Sequence, residues 1–275
     1  MCYAHSKASA SPTPTISTSS SFSSFSSSGT ASKWQAATSK VSAALALDKE
    51  DEKLLRQAKQ LLSDGQARED AGDAEGALLI YAQVRECGQQ IKNVKRAQQV
   101  ESAAVGSLGY AYDSLGQYER AVEHCTQALE ISREIGDLRN ESIHLGNLGL
   151  AYDNLKEHQR AIEHHTRALA ISRQIGDRRN EGNHMGNLGS AYFCLGNQEL
   201  AMDYHTEALE IARETGDRRG EGSWLVNLGV EYESLGQYER AIDHHTLAMN
   251  ITLSDAAVSG GKSFRKLLRR RSDLR

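Results

Sequence analysis

A motif of 40 residues recurs four times without insertion or deletion, and this period restricts the fold more than any other feature of the chain. The four copies begin at Ser107, Asn147, Asn187 and Asn227. A fifth, degenerate copy begins at Ser63 and is offset by 44 residues from the first full copy. Self-similarity at a period of roughly 20 to 50 residues is typical of solenoids, in which each unit buries its apolar face against its neighbours. The sequence therefore predicts a stacked repeat protein.

Each copy contains two segments that have the apolar spacing of an α-helix. In the first segment, helix A, Leu148 and Tyr152 lie on one face with Gly149 beside them. The second segment, helix B, carries an apolar stripe over residues 161–171 and ends at Gly176, a residue type that favours helix ends. A small residue such as Gly149 lets the two helices of a copy approach closely and pack as a pair. With one pair in each of the five copies, we predict an all-α solenoid of five helix pairs, the first of them degenerate.

Composition divides the chain into three regions. Residues 1–47 are rich in Ser and Thr and have three Lys and no acidic residue, so we predict a disordered segment or, alternatively, a plastid targeting peptide. Residues 48–256 are assigned to the solenoid. Residues 257–275 carry seven basic residues and place Phe264, Leu267 and Leu268 on one helical face. This tail is predicted to be a polar capping helix. The alternatives are a nuclear-import patch, a patch that binds an anionic membrane, or a segment that docks onto residues 48–255, which carry a net negative charge.

Metal and catalytic sites are not predicted. The ten histidines form no HExxH motif, and the adjacent His164 and His165 point about 100° apart on a helix. The four cysteines show no paired spacing of the kind that zinc sites or disulfide frameworks use. We therefore expect no cofactor, no metal and no enzymatic activity. Three histidines occupy an apolar position of helix B and are expected to pack between helices: His165, His205 and His245.

The repeat resembles the tetratricopeptide repeat, whose signature is carried here by residues such as Leu148, Gly149, Tyr152, Ala161 and Ala168. Two features differ from that family: the aromatic residue of helix B is replaced by Cys or His, and the closing Pro by Arg. The period of 40 in place of about 34 is most similar to Pins-type G-protein signalling modulators and to kinesin light chain. The resemblance implies a right-handed superhelix whose A helices line a concave surface that binds peptides.

The resemblance also implies which positions line that surface. The position two residues before each repeat glycine faces the groove, and the position after the glycine lies next to it. The implied peptide-groove residues are Ser107, Tyr110, Asn147, Leu150, Asn187, Ser190, Asn227 and Val230. An amide offers both donors and acceptors, so a row of Asn can grip a peptide backbone whatever its side chains are. The alternative is that these asparagines hydrogen-bond between successive A helices.

Charged residues recur in the same register. Acidic residues follow the groove positions at Asp113, Asp153 and Glu233, which predicts a locally acidic groove. Two further series are expected to cap helix A or to pair across repeats. They are the arginines Arg139, Arg179 and Arg219 and the glutamates Glu101, Glu141, Glu181 and Glu221.

These observations predict a non-enzymatic adaptor or scaffold that binds a partner peptide in the concave groove. The alternative function is a tether whose basic tail binds nucleic acid or an anionic membrane, with the repeats as a spacer. No apolar stretch is long enough for a membrane span, and a cytoplasmic location is expected, with a plastid as the alternative. Self-association through the open ends of the solenoid is possible, and the partner's identity is not encoded in any motif.

Overall fold

The computed structural model describes the backbone of residues 28–254 and the side chains of residues 49–254. The chain divides into a unit of residues 1–46 and a unit of residues 47–275. Within the described residues every regular element is an α-helix and there is no strand. The helices are α1 (Ser28–Asp70), α2 (Ala74–Gln89), α3 (Val94–Ser114), α4 (Tyr118–Ile135), α5 (Leu138–Asn154), α6 (His158–Ile175), α7 (Arg178–Cys194), α8 (Gln198–Thr215), α9 (Arg218–Ser234) and α10 (residues 238–254).

The N-terminal prediction needs correction in part. Residues 28–47, which the sequence analysis assigns to a disordered segment, belong to α1. The reason is local: the Ser/Thr run gives way there to Ala, Gln, Lys and Leu, which favour helix over the residues that follow. The predicted disorder of residues 1–27 and the predicted nature of the tail at 257–275 lie outside the described residues.

Helices alternate between the two predicted types along the solenoid. The A helices are α1, α3, α5, α7 and α9, and the B helices are α2, α4, α6, α8 and α10. Consecutive helices pack against each other, and successive A helices from α3 to α9 also touch. This arrangement confirms the all-α solenoid of five helix pairs.

Adjacent Gly and Asp residues connect three B helices, α4, α6 and α8, to the A helix that follows each of them. Gly176 ends α6 with a φ of 69°, a left-handed conformation that a residue without Cβ adopts at little cost. Asp177 follows at once and caps α7, because its side chain accepts a hydrogen bond from the backbone N–H of Asn180. The same two-residue unit recurs at 136–137 and at 216–217. One short motif therefore ends a helix and starts the next one in a fixed direction.

Glycines on the A helices hold the helices close together by leaving room for a ring or thiol. Within a repeat, a Cβ built on Gly189 would lie 2.8 Å from Cδ2 of His205 on the B helix. Between repeats, a Cβ built on Gly146 would lie 2.6 Å from Cε1 of His184 on the next A helix. The expectation that the helix B histidines pack between helices is confirmed by their contacts with these glycines. The pairs within repeats are Gly65–Tyr81, Gly109–Cys125, Gly149–His165, Gly189–His205 and Gly229–His245, and those between repeats are Gly106–His144, Gly146–His184 and Gly186–Trp224.

Replacing one of these glycines with Ala should destabilise the solenoid. We expect Gly146→Ala to lower the free energy of unfolding by about 1–3 kcal/mol, because the methyl group would overlap the buried ring of His184. The matched control is Gly222→Ala, where the nearest atom is Ile251 Cγ2 at 3.7 Å. There the gain in helix propensity should raise stability by up to about 1 kcal/mol. Urea unfolding followed by circular dichroism measures both, and equal effects would contradict the glycine-contact interpretation.

Candidate functional site: the concave groove

Three neighbouring cavities run along the inner faces of the A helices. Their volumes are about 470, 430 and 420 Å³, from the N-terminal cavity to the C-terminal one. The first two cavities share Leu62 and Ala103, and the second and third share Tyr110, Ile143 and Asn147. Because neighbouring cavities share lining residues, we treat the three as one surface, which we call the concave groove.

Five of the eight residues assigned to the groove by resemblance line these cavities. They are Ser107, Tyr110, Asn147, Leu150 and Asn187. The other three, Ser190, Asn227 and Val230, lie outside the cavity walls. The C-terminal cavity ends at Ser223 and Trp224 on α9, one helical turn before Asn227.

The asparagine row divides into two groups. Within residues 49–254, the side-chain amides of Asn147 and Asn187 make no hydrogen bond with the protein, and both face the cavity. The amide of Asn227 is engaged instead: it donates to Ser190 Oγ at 3.4 Å and to His205 Nε2 at 3.1 Å. Ser190 lies on the preceding A helix, so Asn227 makes the hydrogen bond between successive A helices that the sequence analysis gave as the alternative to peptide binding. The other two asparagines do not.

Asn227 hydrogen-bonds to His205, and the opposite side of the His205 ring faces a carboxylate in the core of the last repeat. Glu231 is 1% exposed and occupies the position of Ala111, Ala151 and Ala191 in earlier repeats. Its Oε1 lies 2.7 Å from Nδ1 of His205, which is also 1% exposed. Since Asn227 donates to Nε2, the ring proton is on Nδ1 and donates to Glu231. Sequence analysis missed this pair because the repeat pattern places a small residue there.

Ser190, His205 and Glu231 have the connectivity of an acyl-transfer triad, which no sequence motif predicts. Ser190 Oγ lies 3.2 Å from His205 Nε2, and the same oxygen lies 3.2 Å from the carbonyl of Gly186. Nε2 already accepts from Asn227, and none of the three residues lines a cavity. Together with Asn227, these side chains form a hydrogen-bond network that joins α7, α8 and α9.

Paired charges border the groove. Arg179 donates two hydrogen bonds to Asp217, at 3.0 and 3.2 Å, and Arg139 pairs with Asp177 at 3.0 Å one repeat earlier. The predicted pairing across repeats is confirmed for these arginines. It is confirmed equally for the glutamate series, in the pairs Arg85–Glu101, Arg133–Glu141, Arg173–Glu181 and Arg213–Glu221.

Arg219 departs from its series because no aspartate follows it in register. Position 257, where the next repeat would place the Asp, is occupied by Ala. Arg219 instead donates to Asp70 at the end of α1, at 3.3 Å. The last A helix thus reaches back to the first one, and Arg219 becomes part of the cavity wall together with Tyr110 of α3.

The acidic character of the groove differs from the prediction. Asp113, Asp153 and Glu233 do not line the cavities, and two of them face helix B imidazoles. Asp153 Oδ2 lies 3.6 Å from His165 Nε2, and Glu233 Oε1 lies 3.7 Å from His245 Nε2. Asp113 instead accepts hydrogen bonds from Asn154 of the next A helix, at 3.0 and 3.1 Å. None of the three carboxylates therefore contributes to the walls of these three cavities.

A carboxyl group in the degenerate repeat does line the groove. Glu69 occupies the register of Asp113 at the offset of 44 residues, and Tyr81 donates a hydrogen bond to its Oε2 at 2.9 Å. Burial raises the pKa of Glu69 to about 7, although the Tyr81 bond opposes the shift. Sequence reasoning missed Glu69 because it applied the groove positions only to the four full copies.

Buried imidazoles form part of the groove wall. His144 lines the second cavity and packs on Gly106 of α3, and His184 lines the third cavity and packs on Gly146 of α5. Ser102 Oγ lies 3.0 Å from His144 Nε2, and Ser142 Oγ lies 3.1 Å from His184 Nε2. Burial lowers the pKa of His144 to about 4 and that of His184 to about 3. Both rings are therefore neutral at pH 7.

Between residues 49 and 254, no three His, Cys, Asp or Glu side chains converge as a metal site. None of the described helices combines the length and apolarity that crossing a membrane requires.

Comparison with protein families matches this chain to the tetratricopeptide repeat over residues 99–174, 141–214 and 180–254. A search of curated proteins gives no match.

Solved structures share the fold at low sequence identity. The Rap conjugation gene regulator of plasmid pLS20, solved in complex with the Phr* peptide, is 18% identical with a TM-score of 0.65, over 76% of this chain and 57% of that one. BtubC (BKLC) from P. vanneervenii is 20% identical with a TM-score of 0.57, over 77% and 92%. A putative kinesin light chain from Podosopora anserina is 17% identical with a TM-score of 0.55, over 74% and 98%. The Pins-type resemblance stays a prediction.

The buried imidazoles should make the solenoid sensitive to acid. As the pH falls from 6.5 to 5.0, histidines of the unfolded chain become protonated, whereas His184 stays neutral in the folded protein. Through this residue the free energy of unfolding therefore falls by about 1.4 kcal/mol per pH unit. We expect His184→Phe to remove this component. The stability difference between wild type and variant should therefore shrink by about 2 kcal/mol over that interval.

Urea unfolding at a series of pH values measures this difference. His124→Phe is the control, because the hydrogen bond between His124 Nδ1 and the Arg120 carbonyl lies at the exposed surface. A constant difference for His184→Phe would contradict the interpretation that this ring is buried and neutral.

Proposed function

The chain belongs to the tetratricopeptide repeat family, and from that premise we propose that it is a non-enzymatic adaptor that holds a partner peptide in its concave groove. The observation that carries the proposal is the pair of asparagines, Asn147 and Asn187, whose amides face the groove without a protein partner. Polar groups that folding leaves unpaired at a concave surface are available to a ligand.

The asparagines suit recognition of a peptide backbone. A side-chain amide can donate to a backbone carbonyl and accept from a backbone N–H, so it binds an extended chain independently of sequence. Asn147 and Asn187 occupy the same position on successive A helices, which places them along the direction of the groove. A peptide that follows the groove would meet them in turn.

The rest of the wall supplies both apolar and charged contacts. Leu150, Ile143 and Trp224 offer apolar surface, and Tyr110 adds a ring with a hydroxyl group. Arg219 pairs with Asp70 by a single 3.3 Å bond, and its side chain is 81% exposed. A ligand carboxylate could exchange with Asp70 at small cost, because exposed ion pairs contribute only about 0–1 kcal/mol.

The comparison with the Rap regulator supports a peptide as the kind of partner. That protein was solved with the Phr* peptide, and this chain shares its fold over 76% of its own length. The chain spans just over half of that protein, so the regulator's wider activity is not transferred.

The test compares asparagines that face the groove with the one that does not. The full chain is used as bait in a native lysate, bound proteins are identified by mass spectrometry, and the shortest binding peptide is synthesised with a fluorescent label. We expect Asn147→Ala/Asn187→Ala to weaken its binding roughly tenfold to hundredfold, because each lost hydrogen bond contributes about 0.5–1.5 kcal/mol.

The matched control is Asn227→Ala, at the same repeat position but engaged with Ser190 and His205. It should change peptide affinity by less than about threefold while it lowers thermal stability, since it leaves buried polar atoms unpaired. Fluorescence anisotropy gives the affinities. Undiminished binding by the double variant, or an equal loss in the control, would overturn the proposal.

A further inference from the structure

One carboxyl group in the second cavity has an oxygen without a hydrogen-bond partner. Tyr81 donates to Oε2 of Glu69 at 2.9 Å, whereas the buried Oε1 of Glu69 has no partner within residues 49–254. Tyr81 is itself 1% exposed and packs on Gly65, so its hydroxyl group holds the carboxyl group in a fixed place. Because an unpaired buried acceptor costs free energy, a ligand that donates to Oε1 would be stabilised there.

Carboxylates at the same repeat position are paired in the later copies. Asp113 accepts two hydrogen bonds from Asn154, and Asp153 Oδ1 lies 3.0 Å from Nδ1 of His158. Glu69 differs because the described residues give its carboxyl group one partner, the neutral hydroxyl of Tyr81. The degenerate repeat therefore leaves open a contact that the full copies fill with their own side chains.

The protein supplies no cation to this cavity. As far as residues 49–254 describe its walls, they contain no Lys or Arg side chain. The titratable and charged groups that surround Glu69 are Asp70 of α1, Tyr81 of α2, Tyr110 of α3, His144 of α5 and Arg219 of α9. Of these, His144 is neutral at pH 7, and Arg219 pairs with Asp70 and lines the third cavity.

The charge state of Glu69 reflects these surroundings. Burial raises the pKa of Glu69 to about 7, and Asp70 adds to the increase. Roughly half of the molecules therefore have a neutral Glu69 at pH 7. A ligand cation at Oε1 would favour the ionised form, so binding of the cation and ionisation of Glu69 strengthen each other.

The cavity suits a cationic side chain with a long apolar stem. Its volume is about 430 Å³, and Leu62, Ala103 and Ile143 provide apolar wall. A lysine side chain has four methylene groups that can lie along such a wall, with a compact ammonium group at the end. An arginine fits less well, because its planar fork pairs best with both oxygens of a carboxylate and Oε2 is already engaged by Tyr81.

We propose that the second cavity is a specificity site for a lysine side chain of the bound peptide, with Glu69 Oε1 as the acceptor for its ammonium group. The inference rests on the proposed function, because it assigns one side chain of the peptide that the groove holds. Asn147 lines the same cavity, so one bound peptide can contact both residues.

The first experiment measures which side chain the full protein prefers. The probes are labelled nine-residue peptides of mixed sequence, each with Lys, Arg or norleucine fixed at one position, and all are N-acetylated so that no terminal amine competes. We expect Lys at one position to bind about tenfold tighter than norleucine, an apolar residue with a similar stem, and tighter than Arg. Equal binding of Lys and norleucine, no binding of any probe, or binding that requires a free terminal amine would overturn the proposal.

Variants of the protein assign the preference to Glu69. Glu69→Gln keeps the length of the side chain and removes its charge, so the advantage of Lys over norleucine should fall below about threefold. The matched control is Asp64→Asn, which removes the same charge from an exposed position of α1 that lines none of the three cavities. A preference that persists in Glu69→Gln, or that is lost equally in Asp64→Asn, contradicts the assignment.

The asparagine variant separates this inference from the proposed function. Asn147→Ala/Asn187→Ala should weaken the Lys and norleucine peptides by the same factor and leave their ratio unchanged. If the double variant binds both peptides undiminished while the Lys preference persists, the asparagine contact is wrong and the lysine site stands. If both peptides weaken and wild type shows no Lys preference, the lysine site is wrong and the groove stands.

The dependence of binding on pH is an independent readout. Between pH 6 and 8 Glu69 becomes ionised while lysine stays protonated, so affinity for the Lys peptide should rise by about tenfold. The norleucine peptide should show no such rise, and Glu69→Gln should remove it for the Lys peptide. An equal rise in Glu69→Gln would show that another group titrates, and it would overturn the role of Glu69.

Discussion

The close contact between a glycine and a ring is the interaction on which the rest of the structure depends. Each A helix uses one glycine against its own B helix and, in three repeats, a second glycine against the next A helix. The missing Cβ sets the distance between helix axes, and the ring or thiol fills the space that this distance leaves. Because protein interiors are close-packed, neither partner can change size alone without moving a helix.

The same contacts shape the groove. His144, His184 and Trp224 rest on glycines of the preceding A helix and also form part of the cavity walls. Packing between repeats and the form of the candidate site are therefore one arrangement. Burial keeps His144 and His184 neutral by lowering the pKa of each, so the polarity of the groove comes from its amides and from the paired charges at its border.

The last repeat breaks the symmetry of the array. Glu231 replaces an alanine, binds His205 and thereby engages Asn227, while Arg219 reaches back to Asp70 because Ala257 replaces the next aspartate. Each departure is a single residue that alters which neighbours its helix can bind. The C-terminal cavity reaches α9 through Arg219 and Trp224, so it is lined by part of the repeat in which these substitutions occur.

The sequence by itself determined the helix pairs, their order and the residues at their connectors, because a 40-residue period and glycines at fixed positions admit one packing. It also identified Asn147 and Asn187, since their register follows from the repeat. Only the tertiary structure decided which asparagines stay available, that Asp153 and Glu233 face histidines of the B helices, and that Glu69 lines the groove. These outcomes depend on contacts between residues far apart in the chain, which a local pattern does not contain.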